Sequence, residues 1–283
     1  MNADLARTRV FIGLPWMKQT NPVTAFSVMG LVDRRRTALS LVHGDAFVAH
    51  SRNKLANIFL DSGIDWLLTI DDDMILPFGD ANWFNAFTGF NLPKQYAGLN
   101  AMNRLLSHGK TLVGGLYFGR HKYGAPMYAE GANVPAEAEY ARKAPHDVLK
   151  PTRWVATGCM LIHRSVFEDI EKRFPRLSRA NNRKGGQWFS TSETDAMDLI
   201  EKCRSVLSEG PMTGEKCLKA YQILEGGSEN ARRNSSLGMG EDVQFCTRAL
   251  QSGHQPYVDM ALVCGHIGTG CYGPTSTFPS PKK

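Results

Sequence analysis

Short apolar runs alternate with amphipathic stretches over the first third of the chain. Arg9–Leu14 (RVFIGL) reads as a first strand closed by Pro15. Pro22–Asp33 reads as a helix with Ala25, Val28, Met29 and Val32 on one face, and Thr37–Val42 as a second strand. Phe47–Asp61 places Val48, Leu55, Ile58 and Phe59 near a 3.6-residue period, with Gly63 just past its end, so it predicts a helix. Asp65–Ile70 (DWLLTI) is a short, nearly continuous apolar run, the pattern of a strand buried on both faces. This β-α-β-α-β order predicts an α/β domain built on a Rossmann-like mixed sheet flanked by helices.

The same pattern continues with gaps. A helix is predicted over Tyr96–Ser107, strands over Thr111–Tyr117 and Trp154–His163, and a helix over Ser165–Arg173. A helix over Gly240–Ser252 and a strand over Tyr257–Cys264 follow late in the chain. Gly131–Pro151, rich in Ala and Pro, reads as a surface loop. The stretch 176–238 breaks the alternation. It carries Arg176, Arg179, Arg183, Lys184, Arg232 and Arg233, with two expected helices near 193–208 and 214–224. It is too short for a comfortable core of its own, so it reads as a helical and loop insertion in a single domain spanning 1–283. The segment 273–283, with three prolines and Lys282-Lys283, reads as a mobile tail.

Composition narrows the class. With 42% hydrophobic and 21% charged residues the chain is globular rather than disordered. No run of about 18 apolar residues is present, and Met1-Asn2-Ala3-Asp4 lacks the apolar stretch of a signal peptide; a cytoplasmic protein without a membrane anchor is expected. The six cysteines form no C-x-x-C pair, which argues against a zinc ribbon and for free, mostly buried thiols. A net charge of +6 suits an anionic substrate without establishing nucleic-acid binding.

The candidate chemistry centres on Asp71-Asp72-Asp73, directly after the DWLLTI strand. Three adjacent carboxylates repel one another and become tolerable when a hard divalent cation such as Mg²⁺ or Mn²⁺ binds them. The carboxyl ends of strands are also where open α/β sheets take ligands. An acidic turn or helix cap is the plainer alternative. If the chain stays extended, Asp71 and Asp73 project to one side and Asp72 to the other.

Ser51-Arg52-Asn53, the stretch Trp66–Met74 with its three acids, and Pro77 together resemble the GT-A glycosyltransferases, family 2-like members above all. Gly114-Gly115-Leu116-Tyr117, Thr157–Ile162 with Arg164–Phe167, Gly240-Glu241-Asp242-Val243 and His266-Ile267-Gly268 extend the resemblance over most of the chain. The stretch between Phe167 and Gly240 departs from it. The resemblance implies a GT-A fold whose D-x-D motif holds Mn²⁺ or Mg²⁺ against the diphosphate of a nucleotide sugar, with a UDP-sugar as the expected donor. It implies Asp73, Asp71 and His266 as metal ligands, with Asp72 or Asp71 on the ribose or sugar. It implies donor contacts at Pro15 and Gly115, and Asp242 as the general base beside Glu241. Capping of the helix dipole is the alternative role for that acidic pair. Arg52 suits a clamp on the diphosphate, against a solvated helix face. Trp16, Trp154, Trp188 and Tyr117 are stacking candidates, with core packing the commoner role for all but Trp188.

Two other enzyme classes and one binding class compete. A haloacid-dehalogenase-like phosphatase shares an acidic motif after a strand, but Ile75 stands where Thr or Val is usual and the motif follows the third strand rather than the first. A nucleotidyltransferase is closer in fold, but Gly13–Lys18 is a poor version of its signature. A non-catalytic polyanion-binding module would use the basic surface, and the intact acids argue against it. The acceptor is expected to be a carbohydrate, a protein or a hydroxymethylated base in DNA. The last would be flipped out of the duplex and held by the basic insertion.

Overall fold

The computed structural model describes residues 7–16, 21–43, 48–120, 125–129, 134–181, 185–190, 203–208, 210–223, 240–268 and 271–273. Its centre is a seven-stranded mixed sheet. In chain order the strands are β1 (Val10–Trp16), β2 (Thr37–His43), β3 (Trp66–Ile70), β5 (Leu112–Leu116), β7 (Leu149–Pro151), β9 (Cys159–His163) and β10 (Tyr257–Val263). The order across the sheet is β2-β1-β3-β9-β5-β10-β7. Five strands run one way; β9, between β3 and β5, and β7, at the edge, run against them. The carboxyl ends of β1, β3, β5 and β10 therefore meet at one end of the sheet.

Each face of the sheet carries a core. Phe11, Leu67, Met160 and Ile162 pack with Leu55 and Phe59 of α2 (Val48–Asp61), Phe167 of α7 (Arg164–Arg173) and Phe245 of α8 (Glu241–Gln251). Val10, Ile12, Leu68, Ile70 and Leu161 pack on the other face with Val28 of α1 (Pro22–Leu31) and Leu105 of α5 (Ala101–Ser107). Neighbouring residues of β1 and β3 thus feed opposite cores, as a sheet covered on both faces requires. At Gly13 a β-carbon would meet the Leu55 side chain at 2.4 Å, so the missing side chain lets α2 sit close on β1. Arg52, one turn before Leu55, is thereby brought to the ligand end of the sheet.

Several expectations are corrected. Pro15 does not close β1: pairing with β3 ends at Gly13, and beyond it β1 is bonded only to β2, where a proline is tolerated. The helix expected over Tyr96–Ser107 is two, α4 (Lys94–Ala97) and α5, because Asn100 caps the second through its side chain. Val134–Arg142, within the expected loop, is helix α6; its alanines favour helix, and Pro135 sits in the first turn, where its missing N–H costs nothing. Met29 of α1 is 62% exposed rather than buried.

The strand expected over Trp154–His163 is interrupted. Trp154–Val155 forms β8 and pairs with β6 (Tyr128–Ala129), while Cys159–His163 enters the main sheet as β9. The turn between them, at Thr157-Gly158, reaches the ligand end.

The start of the supposed insertion belongs to the core. Asn53 on α2 accepts from the Phe189 backbone N–H, and Asn57 accepts from that of Gly186. Trp188 is fully buried against Phe167 and donates to its carbonyl, so it is a core residue and not a stacking platform. Further on, 203–208 and 214–223 are helical and touch through Cys203 and Ala220. Arg183, Lys184, Arg232, Arg233 and the tail beyond Gly273 lie outside the described residues. Four of the six cysteines are buried free thiols. Among the described residues no helix is long and apolar enough to cross a membrane.

Candidate functional site

A cleft of about 360 Å³ lies at the carboxyl ends of the parallel strands. Pro15 and Trp16 line it from β1, Ser51 and Arg52 from α2, Tyr117 and Arg120 from just past β5, and Glu241 and Asp242 from the first turn of α8. Asp71, Asp72 and Asp73 line it together.

The three acids do not continue the strand. β3 ends at Ile70, and the Met74 N–H donates to the Asp71 carbonyl at 3.2 Å, closing a turn. The expected extended geometry is thus replaced by one that turns all three residues toward the cleft. After the turn, Met74–Ile75 (β4) joins a small sheet with Gly265–Ile267 (β11) and Cys271–Tyr272 (β12). His266 pairs with Met74, and the Ile267 N–H donates to the Asp73 carbonyl at 2.8 Å. This small sheet clips the late histidine to the acidic turn, although the two are far apart in sequence.

Arg52 organises the buried half. Its side chain is 4% exposed. Nη2 donates to both oxygens of Asp71, at 2.9 and 3.0 Å, and Nη1 donates to Asp242 at 2.7 Å and to Glu241. Burial opposes the guanidinium charge, but Asp242, Asp71 and Glu241 together outweigh it and raise the pKa. Arg52 therefore differs from both expectations. It is no solvated helix residue, and its Nη groups are spent on carboxylates rather than free for a diphosphate.

Asp242 is the perturbed acid. Burial pushes its pKa up to about 6; Arg52 pulls it down, Glu241 and Asp71 push it up, and the Thr157 hydroxyl, donating at 2.8 Å, pulls it down. One cation shared among three acids cannot fully compensate any of them. The result is a carboxylate that changes charge close to neutral pH. Tyr117 is buried beside it, with its pKa raised well above the usual value by burial and then by Asp71 and Asp242, so its hydroxyl stays protonated. That oxygen accepts the Gly158 N–H at 2.9 Å.

The other half of the cleft is more open. His266 Nδ1 lies 2.7 Å from the Phe118 carbonyl, which can only accept, so Nδ1 carries a proton and Nε2 faces Asp73 Oδ2 at 3.5 Å. Arg120 Nη1 approaches the same Oδ2 at 2.8 Å.

These positions test the metal expectation. Among the described residues no three His, Cys, Asp or Glu side chains converge as a metal-holding group. Both oxygens of Asp71 accept from Arg52 Nη2. Asp73 and His266 do fit as two donors on one ion: at roughly 2.1 Å per bond, neighbouring ligands of an octahedral cation lie about 3 Å apart, close to the separation here. Such ions commonly take only one or two protein ligands and complete their shell with phosphate and water. Five carboxylates line the cleft against two guanidinium groups, so a diphosphate would need a further cation there.

Gly115 does not reach the cleft. It is buried in β5, where a β-carbon would meet Cys264 Sγ at 2.9 Å and Cys159 Sγ at 3.2 Å; it is a packing glycine. Arg120 is a charged cleft residue that the sequence did not point to. No pattern marks it, because it meets Asp73 only once β5 and β3 are folded into one sheet.

No family model matches this chain, and no curated protein matches it. Among solved structures it is similar to the crystal structure of A197 from STIV, with 12% identity and a TM-score of 0.44 over 94% of this chain and 91% of that one.

Proposed function

We propose that this chain is a metal-dependent GT-A glycosyltransferase that moves a sugar from a nucleotide diphosphate, a UDP-sugar first among donors, to an acceptor hydroxyl. The observation that carries the reading is the meeting, in one cleft at the strand ends, of the acidic turn, His266 and a half-buried Asp242 with a pKa of about 6. The mixed sheet flanked by helices is the architecture such an enzyme needs.

Pro15 and Trp16, at the end of β1, would border the nucleoside, and Asp72 would contact the ribose or sugar. Asp73 and His266 would hold Mn²⁺ or Mg²⁺. When bound, that ion supplies positive charge to the diphosphate and eases its departure. Asp242 takes the proton of the acceptor hydroxyl while that oxygen bonds to the anomeric carbon and the bond to the diphosphate breaks. A base works best with a pKa near the working pH. Arg52 and Thr157 hold Asp242 in place, and Glu241 shares Arg52 with it.

The acceptor reads best as a carbohydrate or protein hydroxyl. Of the basic set proposed to hold DNA, Arg179 is already paired with Asp61 at 3.6 Å and Glu171 at 3.2 Å. A cytoplasmic setting is part of the same reading.

The test is to incubate the protein with UDP-sugars, Mn²⁺ and a panel of carbohydrate acceptors and to analyse the nucleotide product. Release of UDP with a glycosylated acceptor is expected. Pyrophosphate release from a nucleoside triphosphate and sugar phosphate would make it a nucleotidyltransferase. Absence of turnover with every donor, despite polyanion binding, would leave the binding module.

A further inference from the structure

We propose that Arg120 is an exchangeable cation on Asp73. In the donor-free protein it neutralises that carboxylate; when a divalent ion arrives it moves to the donor's diphosphate. The inference rests on the metal and donor reading above and adds to it a residue that links the two ligands.

The contact is made on the atom a metal would use. Arg120 Nη1 lies 2.8 Å from Asp73 Oδ2, and the same oxygen is the one facing His266 Nε2 at 3.5 Å. A cation shared by Asp73 and His266 would meet the guanidinium on that oxygen, and like charges at such a spacing repel. Arg120 is also free to leave. Its side chain is 53% exposed, whereas that of Arg52 is 4% exposed and locked to three acids.

Its base is fixed while its head is not. The Gly119 N–H is bonded to the Ala125 carbonyl at 2.9 Å, closing the backbone just before Arg120. The aliphatic stem crosses Gly268, whose missing β-carbon would stand 3.3 Å from Arg120 Cδ. The glycine two residues after His266 thus lets the Arg120 stem and the Tyr272 ring lie close against the backbone. A guanidinium released there sits at the mouth of the cleft, where its planar fork suits phosphate oxygens.

The exchange predicts opposite signs for two bindings. Mn²⁺ alone, followed by electron paramagnetic resonance, should bind Arg120→Ala up to about fivefold more tightly than wild type, the size of one exposed ion pair. UDP in saturating Mn²⁺, followed by calorimetry, should bind the variant roughly 10- to 100-fold more weakly, as expected for a lost charged hydrogen bond. Arg120→Lys should recover part of the UDP affinity. Asp73-dependent Mn²⁺ binding that Arg120→Ala leaves unchanged or weakens would overturn the exchange alone, and so would unaltered UDP affinity. Absence of Asp73-dependent Mn²⁺ binding in both proteins would overturn the metal reading and the exchange with it.

Discussion

Two aspartates in this molecule, one fully buried and one half-buried, sit beside arginines and titrate in opposite directions. Asp259, on β10, is fully buried; it accepts from Arg104 Nε at 2.6 Å and the Ala261 N–H at 2.9 Å, with His108 Nε2 at 2.7 Å. Burial alone would raise its pKa, but the bonds from His108 and Arg104 hold it below the usual range. Asp242 also has an arginine and a hydroxyl, yet its pKa rises to about 6, because burial is joined by two further acids drawing on the same Arg52. Donors exceed acceptors at Asp259, and acceptors exceed donors at Asp242. The first arrangement stabilises a fold. The second keeps a carboxylate ready to take a proton, at a cost in stability.

The largest effect that would break this contrast is on catalysis. Asp242→Asn keeps the shape but cannot accept a proton, and transfer should fall roughly 10²- to 10⁴-fold. The wild-type rate should rise with pH through about 6, and that limb should disappear in the variant. Donor affinity should change little. A variant that retains both rate and limb would remove Asp242 from the chemistry.

Asp259→Asn should do the reverse. It leaves Arg104 and His108 without their carboxylate and should cost about 2–4 kcal/mol in urea unfolding, somewhat below a fully buried pair because Arg104 is 26% exposed. The folded variant should turn over at the wild-type rate. The pH dependences differ in sign as well. The stability contributed by Asp259, whose pKa is lowered on folding, is present above about pH 4 and is lost as the pH falls below that. Asp242 has its pKa raised on folding, so its contribution declines as pH rises from about 4 to 6.

It follows that Asp242→Asn should be more stable than wild type at pH 8, by on the order of 1–2 kcal/mol, with the gain vanishing below about pH 4. Denaturant melts at the two pH values check this. A variant destabilised at pH 8 would mean that Asp242 is held as firmly as Asp259.

The smallest effect sharpens the account at one bond. Thr157→Val removes the hydroxyl that donates to Asp242 and little else in a fully buried position. The acidic limb of the rate profile should move upward by several tenths of a pH unit, with the plateau rate within a few-fold of wild type. An unmoved limb would show that the hydroxyl does not tune the base.

Much of this was legible in the sequence where local pattern decides. The DWLLTI run, the helix of Arg52 and the late helix of Glu241-Asp242 stand within a residue or two of their expected limits. The acidic triplet, His266, Arg52 and Asp242 do meet. What sequence could not supply was who holds whom. Nothing in Ser51-Arg52-Asn53 says that Arg52 would be saturated by three acids. Likewise a continuous β-like run from Trp154 hid the turn that aims Thr157 at Asp242. Gly115 and Trp188 read as site residues because glycine and tryptophan serve packing and binding equally well, and only the neighbours decide. Arg120 was invisible because its partner lies in the turn after another strand.

The central claim is that the cleft takes a nucleoside diphosphate through a cation held at Asp73. The most direct measurement is the melting temperature with UDP, in Mn²⁺ and in EDTA, for wild type and Asp73→Ala. A ligand bound to the native state raises it by an amount that grows with the logarithm of ligand concentration over Kd. The account predicts a clear UDP-dependent rise in wild type with Mn²⁺, little or none in EDTA, and none in Asp73→Ala under either condition. An equal rise in EDTA, or a full rise in Asp73→Ala, would contradict it.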